Sequence, residues 1–176
     1  MNRNLSPAAK GALYVAKAAI IAAAYAALTL AVSQFGFGPI QFRISEALIV
    51  LAPMTSAAIP GLTIGCLLAN IISPYGWADL VFGTAATLLA AAFAWLVRKV
   101  TIKKCPWLSP LGAVVFNAFM VPIAITVFAP SEIGYWACAL DIGLCQLFSC
   151  YVLGIPLWIL LHATKAEKLI KDPWEK

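Results

Sequence analysis

Arg43 and Glu46 are two ionisable residues that stand three positions apart, just before a long apolar stretch. The chain is 63% hydrophobic and only 11% charged, and a charged side chain beside an apolar span is costly unless it faces a cavity, a partner charge or a ligand. A local salt bridge at a helix start is one explanation, because side chains at i and i+3 are neighbours on a helix. We favour the other explanation, in which both residues border a binding site.

Further polar and aromatic residues occur near the same ends of the apolar segments. Four carboxylates fall there against one arginine, a balance that suits a cation or a ligand rich in hydrogen-bond donors. The aromatic side chains beside them offer planar surfaces for stacking. The candidate binding residues are Gln41, Arg43, Glu46, Asn70, Tyr75, Trp77, Asp79, Asn117, Glu132, Trp136 and Asp141.

Most of these candidates also have an ordinary structural explanation. Tyr75 and the two tryptophans fit an aromatic belt at a membrane interface, and Asp79 fits a helix cap. The two asparagines fit hydrogen bonds between helices, and Glu132 fits a solvated loop. Asp141 is harder to explain in this way, since an acid inside an apolar helix needs a partner or a function.

The elements that position these residues are predicted to be membrane spans. The mean hydropathy is +0.93 over 176 residues, and a soluble domain of this length could not bury so much apolar surface. The net charge is +5, but every basic residue except Arg43 lies at the start of the first span, in one loop at 98–104 or in the tail from 165 onwards. This is the positive-inside pattern of a membrane protein, and it argues against a basic groove for nucleic acid.

The sequence predicts an all-α integral membrane protein, a single domain over 1–176, with six transmembrane helices and both termini in the cytoplasm. The count depends on residues 46–73, which form either one tilted helix or two short ones broken at Ile59-Pro60-Gly61. Two crossings place all three basic regions on the same side, so the positive-inside rule favours them. Each would be only about 14 residues, or roughly 21 Å long. The predicted helices are 12–33, 46–59, 60–73, 80–97, 111–129 and 135–162.

Enzymatic chemistry has little support in the sequence. There is no phosphate-binding loop of the G-x-x-x-x-G-K-S/T type, so the chain has no ATPase motif of its own. The five cysteines show no C-x-x-C spacing, and the single histidine, His162, stands far from them, which argues against a zinc site. We therefore predict a binding protein without cofactor or metal that moves its ligand across the membrane with energy supplied elsewhere.

The first helix contains two alanine ladders with four-residue spacing. Small residues at i and i+4 allow the backbones of two helices to approach closely, although alanine is also simply a common helix former. Gly61 and Gly65 give a similar face in the third predicted helix. Either ladder is a candidate docking surface for a membrane partner. The ladders are Ala18, Ala22 and Ala26, and Ala19, Ala23 and Ala27.

Taken together, these features resemble the substrate-binding (S) components of energy-coupling factor (ECF) transporters. The resemblance is closest to the branch for queuosine precursors, the QueT type, and it runs through residues 12–162. The segments that carry it are GPIQFRISEAL at 38–48, IPGL at 59–62, GCLLAN at 65–70, and Asp79 with Phe82-Gly83.

This resemblance implies a multi-pass protein of the bacterial cell membrane that binds a 7-deazaguanine, such as the aminomethyl precursor or queuine. It also implies a transmembrane coupling subunit that docks on the first helix, and two cytosolic ATPases. A carboxylate can accept two hydrogen bonds from a guanine-like edge. As a hypothesis, Asp141 or Glu46 binds that edge, Asp79 or Glu132 binds the amine, and Arg43 orients Glu46.

Two other functions fit the sequence less well. A small ion-coupled secondary transporter for a cationic or nucleobase-like solute would use Asp141 and Glu46 to carry protons. A membrane-embedded scaffold subunit would depend on its small-residue faces and bind no ligand.

Overall fold

The computed structural model describes residues 6–33, 42–102, 105–128, 134–172 and 174. Within these ranges the chain is helical and has no β-strand, which confirms the predicted all-α class for this part of the chain. The helices are α1 (Pro7–Ala31), a 3-10 helix (Ile44–Leu51), α2 (Ala58–Asn70), α3 (Gly76–Leu96), α4 (Ser109–Phe128), α5 (Tyr135–Ala163) and α6 (Glu167–Ile170).

Four of the helices, α1, α3, α4 and α5, are long and apolar enough to cross a membrane. Helix α2 is apolar but has only 13 residues, which is short for a hydrocarbon core of roughly 30 Å. The four long helices indicate a multi-pass membrane protein. The predicted count of six spans and the cytoplasmic position of the termini stay predictions.

The segment predicted as a helix over 46–59 has a different conformation from the one expected. The 3-10 helix covers eight residues, Ile44–Leu51, whereas runs longer than about four residues are uncommon. Turns then lead to α2, which begins at Ala58 and not at Pro60. Pro60 lies in the first turn of α2. Backbone N–H groups there have no acceptor within the helix, so the missing N–H of proline costs no hydrogen bond. The chain therefore bends before the Ile59-Pro60-Gly61 segment and not at it.

Helices α3 and α5 each contain a π-helical segment. These segments are Asp79–Gly83 in α3 and Phe148–Leu153 in α5. Such insertions displace the side chains that follow them and occur frequently at functional sites. In a membrane protein, irregular backbone of this kind is tolerated where protein surrounds it or where it lines a cavity.

Helix α1 packs closely against α2 through the two glycines of α2. A Cβ atom at Gly61 would lie 2.8 Å from the carbonyl oxygen of Ala18, and one at Gly65 would lie 2.7 Å from that of Ala22. Both distances are too short for a real Cβ, so any larger residue would push the helices apart. This is the close contact that small residues at four-residue spacing permit.

The interior contains two groups of buried apolar side chains. The large cluster joins α1, the 3-10 helix and α2 to the facing sides of α3, α4 and α5, and it includes Ile21, Tyr25, Ile49, Val50, Leu62, Cys66, Ala90, Ala113 and Cys150. The small cluster consists of Tyr75, Val121, Ile125, Cys138 and Ile142. The polar residues described below lie near the boundary between the two.

The C-terminal segment folds back onto the start of α1. Asp172 is 3% exposed and accepts hydrogen bonds from the side chains of Thr55 and Ser56 and from the backbone N–H of Ser56. The rings of Trp174 and Tyr14 are in contact, with centroids 5.1 Å apart. The beginning of α1, the turn before α2 and the tail thus lie at one end of the helix bundle.

Helix α6 carries one titratable side chain with a shifted pKa. Partial burial alone would raise the pKa of Glu167, but a hydrogen bond with His162 and the charge of Lys171 outweigh it and lower that pKa below its usual value. These are surface contacts at the end of α5, remote from the buried polar residues.

Candidate functional site

Arg43 and Asp79 form an ion pair in the interior of the bundle. Their side chains are 2% and 0% exposed, and Nη2 of Arg43 lies 2.9 Å from Oδ2 of Asp79. Ser73 donates a hydrogen bond to the same oxygen at 2.7 Å. Arg43 immediately precedes the 3-10 helix and Asp79 is the first residue of the π segment of α3. Two irregular segments therefore bring together charges that are 36 positions apart.

Glu46 is the second buried carboxylate and lies one turn beyond Arg43. It is 1% exposed, and its Oε1 accepts a hydrogen bond from the hydroxyl of Tyr25 at 2.5 Å. Its Oε2 is buried and has no hydrogen-bond partner among the described residues. Tyr25 thus holds the carboxylate through Oε1, the hydroxyl of Thr87 also interacts with the carboxylate, and Oε2 can accept a further bond.

Asn70 connects the end of α2 to the π segment of α3. Its side-chain nitrogen donates to the backbone oxygen of Asp79 at 3.0 Å and lies 3.4 Å from the sulfur of Cys66. Gly83 makes this arrangement possible, because a Cβ there would be 2.8 Å from both Nδ2 of Asn70 and Oδ1 of Asp79. Thr87 completes the group by donating to the oxygen of Gly83 at 3.1 Å.

Three buried oxygens of these residues have no partner in the described part of the chain: Oε2 of Glu46, Oδ1 of Asp79 and Oδ1 of Asn70. Buried polar atoms in proteins are nearly always hydrogen-bonded, so each of these exceptions needs an explanation. All three are acceptors. Their common complement is a molecule that presents several N–H or O–H donors.

The remaining predicted residues occupy different environments. Tyr75 is 8% exposed and belongs to the small cluster, and Asn117 is buried and donates to the oxygen of Ala113 at 2.9 Å. Asp141 is half-buried on α5. Trp77 and Trp136 are 63% and 74% exposed, as an interfacial belt would require.

Two predicted residues, Gln41 and Glu132, lie outside the described residues, so their predicted roles stay predictions. The structure thus brings Arg43, Glu46, Asn70 and Asp79 into one buried region, with Tyr75 in the adjoining small cluster. The structure pairs Arg43 with Asp79, and the sequence predicted both residues but not this pairing.

Three residues of this region were not among the predicted site residues: Tyr25, Ser73 and Thr87. Tyr25 lies within the alanine-rich part of α1, among the residues of the two alanine ladders. A buried tyrosine hydroxyl usually finds a hydrogen-bond partner, and that rule would have marked it as a contact to a polar group. Ser73 and Thr87 carried no comparable signal in the sequence.

The two alanine ladders of α1 face in different directions. Ala18 and Ala22 are 9% and 6% exposed and pack against the glycines of α2, and Ala26 is half-buried. The members of the other ladder, Ala19, Ala23 and Ala27, are all exposed. The first ladder therefore packs inside the molecule, and the second lies on its surface.

Among the described residues, no group of three or more His, Cys, Asp or Glu side chains is arranged to hold a metal ion. The charged groups of the buried region are instead two carboxylates and one guanidinium. This composition suits hydrogen-bonded recognition of an organic molecule better than coordination of a cation.

Comparison with known proteins gives two matches. A family model described as "QueT transporter" matches residues 15–163. The protein named queuosine precursor transporter QueT from Lactococcus lactis subsp. cremoris (strain MG1363) is 41% identical over 73 residues, which is 40% of this chain and 43% of that protein. The chain thus matches less than half of that relative's length. No solved structure matches.

Proposed function

Because the chain belongs to the QueT transporter family, we propose that it binds a queuosine precursor of the 7-deazaguanine class and delivers it across the membrane as the substrate-binding subunit of an ECF importer. The observation that supports this most directly is the set of unpartnered acceptor oxygens around two buried carboxylates. A guanine-like edge supplies the matching donors, a ring N–H and an exocyclic amine.

Glu46 is the residue we assign to the guanine-like edge. One of its oxygens is held by Tyr25 and the other is available, so a ligand N–H can bind without reorganising the carboxylate. A hydrogen bond to a charged acceptor is stronger than one between neutral groups. Asp141, the alternative from the sequence, is half-buried, and burial favours Glu46 because water competes less there.

Asp79 has a different task in this proposal. Its charge is already matched by Arg43 and its Oδ2 by Ser73, so it chiefly holds the end of α2 and the start of α3 in position. Glu132 stays the predicted partner of a cationic aminomethyl group. Tyr75, buried next to α4 and α5, is the aromatic side chain best placed to contact a planar ring.

The exposed ladder of α1 is the surface we assign to the transmembrane coupling subunit. Ala19, Ala23 and Ala27 form a strip of small side chains along one side of a 25-residue helix. Such a strip allows a partner helix to approach closely within a membrane. In this proposal two cytosolic ATPases act through that subunit, and both termini of the chain are cytoplasmic.

Thermal unfolding of the detergent-purified chain tests the proposed ligand class. The panel contains 7-aminomethyl-7-deazaguanine, queuine, guanine and two unrelated vitamins. A ligand that binds only the folded state stabilises it by roughly 2.7 kcal/mol at 100 times its dissociation constant. We expect the melting temperature to rise with the deazaguanines and not with the vitamins. Equal melting temperatures across the panel would contradict the proposed function.

A further inference from the structure

Helices α4 and α5 each contribute one residue to the small cluster and one to the large cluster, with a polar residue between the two. On α4, Val121 belongs to the small cluster and Ala113 to the large one, and Asn117 lies halfway between them. On α5, Ile142 belongs to the small cluster and Cys150 to the large one. The two helices are packed neighbours, so residues halfway between the clusters lie at similar depth.

Gln146 is the residue of α5 at this depth, four positions from both Ile142 and Cys150. It is 2% exposed and Asn117 is 1% exposed, so polar side chains from both helices are buried at the boundary between the clusters. Oδ1 of Asn117 has no hydrogen-bond partner among the described residues. A buried polar layer therefore continues from Glu46 and Asp79 onto the opposite side of the bundle.

Ser149 is the next inward residue of α5 and is fully buried. A serine in a regular helix commonly donates its hydroxyl to the carbonyl oxygen four residues earlier. Ser149 lies instead in the π segment Phe148–Leu153, and its Oγ has no partner in the part of the chain that the structure describes. Its hydroxyl is thus a buried donor as well as an acceptor, and neither capacity is used.

The π segment lies directly against the stretch that carries Arg43 and Glu46. The thiol of Cys150 lies 3.6 Å from the backbone oxygen of Glu46 and 3.8 Å from Oε1 of Gln146. The rings of Phe148 and Phe42 are 5.7 Å apart. The π segment as a whole packs against the 3-10 helix that carries Glu46, and Ser149 is a fully buried residue of that segment.

We propose that the π segment of α5 forms a second wall of the binding site and that Ser149 contacts the ligand directly. This inference rests on the proposed function. A 7-deazaguanine presents a ring carbonyl oxygen next to its N–H donors. The oxygens of Glu46, Asp79 and Asn117 can only accept hydrogen bonds from a ligand, whereas the hydroxyl of Ser149 can donate to that carbonyl. Ser149 thereby distinguishes ligands with the carbonyl from those without it.

The test compares S149A with S109A. Ser109 is also fully buried, but its hydroxyl donates to the backbone oxygen of Ala94 at 3.4 Å. Affinity is measured for both variants and the unmodified chain with 7-aminomethyl-7-deazaguanine and with 2-amino-7-deazapurine. The second ligand lacks the carbonyl, the ring N–H beside it and the aminomethyl group, so each variant is compared with the unmodified chain for the same ligand. The melting temperature is measured without ligand.

For S149A we expect the affinity for the carbonyl-bearing ligand to fall by about threefold to tenfold, the effect of one neutral hydrogen bond. The affinity for 2-amino-7-deazapurine should change little. The melting temperature without ligand should stay the same or rise, because the variant removes an unpartnered buried hydroxyl. S109A should show the reverse, a lower melting temperature and an unchanged affinity.

Unchanged affinity of S149A for both ligands would overturn this inference and leave the proposed function intact. A lower melting temperature of ligand-free S149A together with unchanged selectivity would also overturn it, because Ser149 would then be structural. If the unmodified chain binds no deazaguanine, the proposed function fails and this inference fails with it. Should S149A not fold, S149C, with a similar shape and a weaker donor, replaces it with the same expected loss of selectivity.

Discussion

Glu46 has one carboxylate oxygen bound to Tyr25 and the other without a partner in the described part of the chain. In E46Q the amide oxygen can still accept from Tyr25, but the amide nitrogen then faces the ligand with a donor in place of an acceptor. We expect the affinity for a deazaguanine to fall by roughly tenfold or more, since a bond to a charged acceptor contributes about 1.5–3 kcal/mol. Equilibrium binding to the purified protein measures this change.

The matched control for E46Q is D141N, which removes the other carboxylate that the sequence offered for the same role. Asp141 is half-buried and Glu46 is 1% exposed, so D141N should alter the affinity much less. If D141N lost more affinity than E46Q, Asp141 and not Glu46 would be the residue that binds the guanine-like edge.

The ion pair of Arg43 and Asp79 gives a prediction about the stability of the folded protein. R43M leaves the carboxylate of Asp79 buried without its partner charge, and such a change costs about 3–5 kcal/mol. We expect a clearly lower melting temperature for R43M. The double variant R43M/D79N should recover part of the loss, because the asparagine carries no charge. An unaltered melting temperature for R43M would show that other groups compensate Asp79.

At the scale of elements, the sequence identified the helices better than the contacts between them. The apolar runs predicted α1, α3, α4 and α5, because long hydrophobic segments have few alternatives in a membrane. The 3-10 conformation of Ile44–Leu51 and the two π segments carry no periodic signature that distinguishes them from α-helix. These segments determine which way Arg43, Asp79 and Ser149 point, so the pairing of Arg43 with Asp79 was not predictable.

The two faces of α1 give a prediction at the same scale, with neighbouring residues as a matched pair. Ala22 is 6% exposed and lies against Gly65, whereas Ala23 is exposed. A22L inserts a large side chain into a close helix contact and should destabilise the chain by about 1–3 kcal/mol. A23L should leave the melting temperature unchanged and reduce co-purification with the coupling subunit.

Co-purification from cells that express the coupling subunit and both ATPases measures the second effect. If A23L binds the coupling subunit as well as the unmodified chain does, the exposed ladder is not the docking surface. Deazaguanine uptake in cells that lack every such ATPase would contradict the proposed ECF mechanism and favour the ion-coupled alternative.

At the scale of the whole molecule, the contacts of the tail and the distribution of charge both agree with the predicted topology of six crossings. Tyr14 of α1 donates to the backbone oxygen of Ser56, and its ring contacts the ring of Trp174, so residues 44–57 return the chain to the end where α1 begins. Helix α3 then ends, and α4 begins, at that same end. The described basic residues of α1, of the loop after α3 and of the tail lie towards that end, as the positive-inside rule predicts for a cytoplasmic side; they are Lys10, Lys17, Arg98, Lys99, Lys165, Lys168 and Lys171.

Cysteine labelling in a variant without the native cysteines tests this arrangement. Ser6, Lys99 and Lys168 are exposed at the end where α1 begins, and Pro74 and Gly134 are exposed at the other end. We expect a membrane-impermeant maleimide added to intact cells to label P74C and G134C, and to label S6C, K99C and K168C only after the membrane is opened. If residues 46–73 crossed only once, the 98–104 loop and the tail would lie opposite the N-terminus. External labelling of K99C and K168C would therefore contradict six crossings, and the buried polar region would then need a different route of access for its ligand.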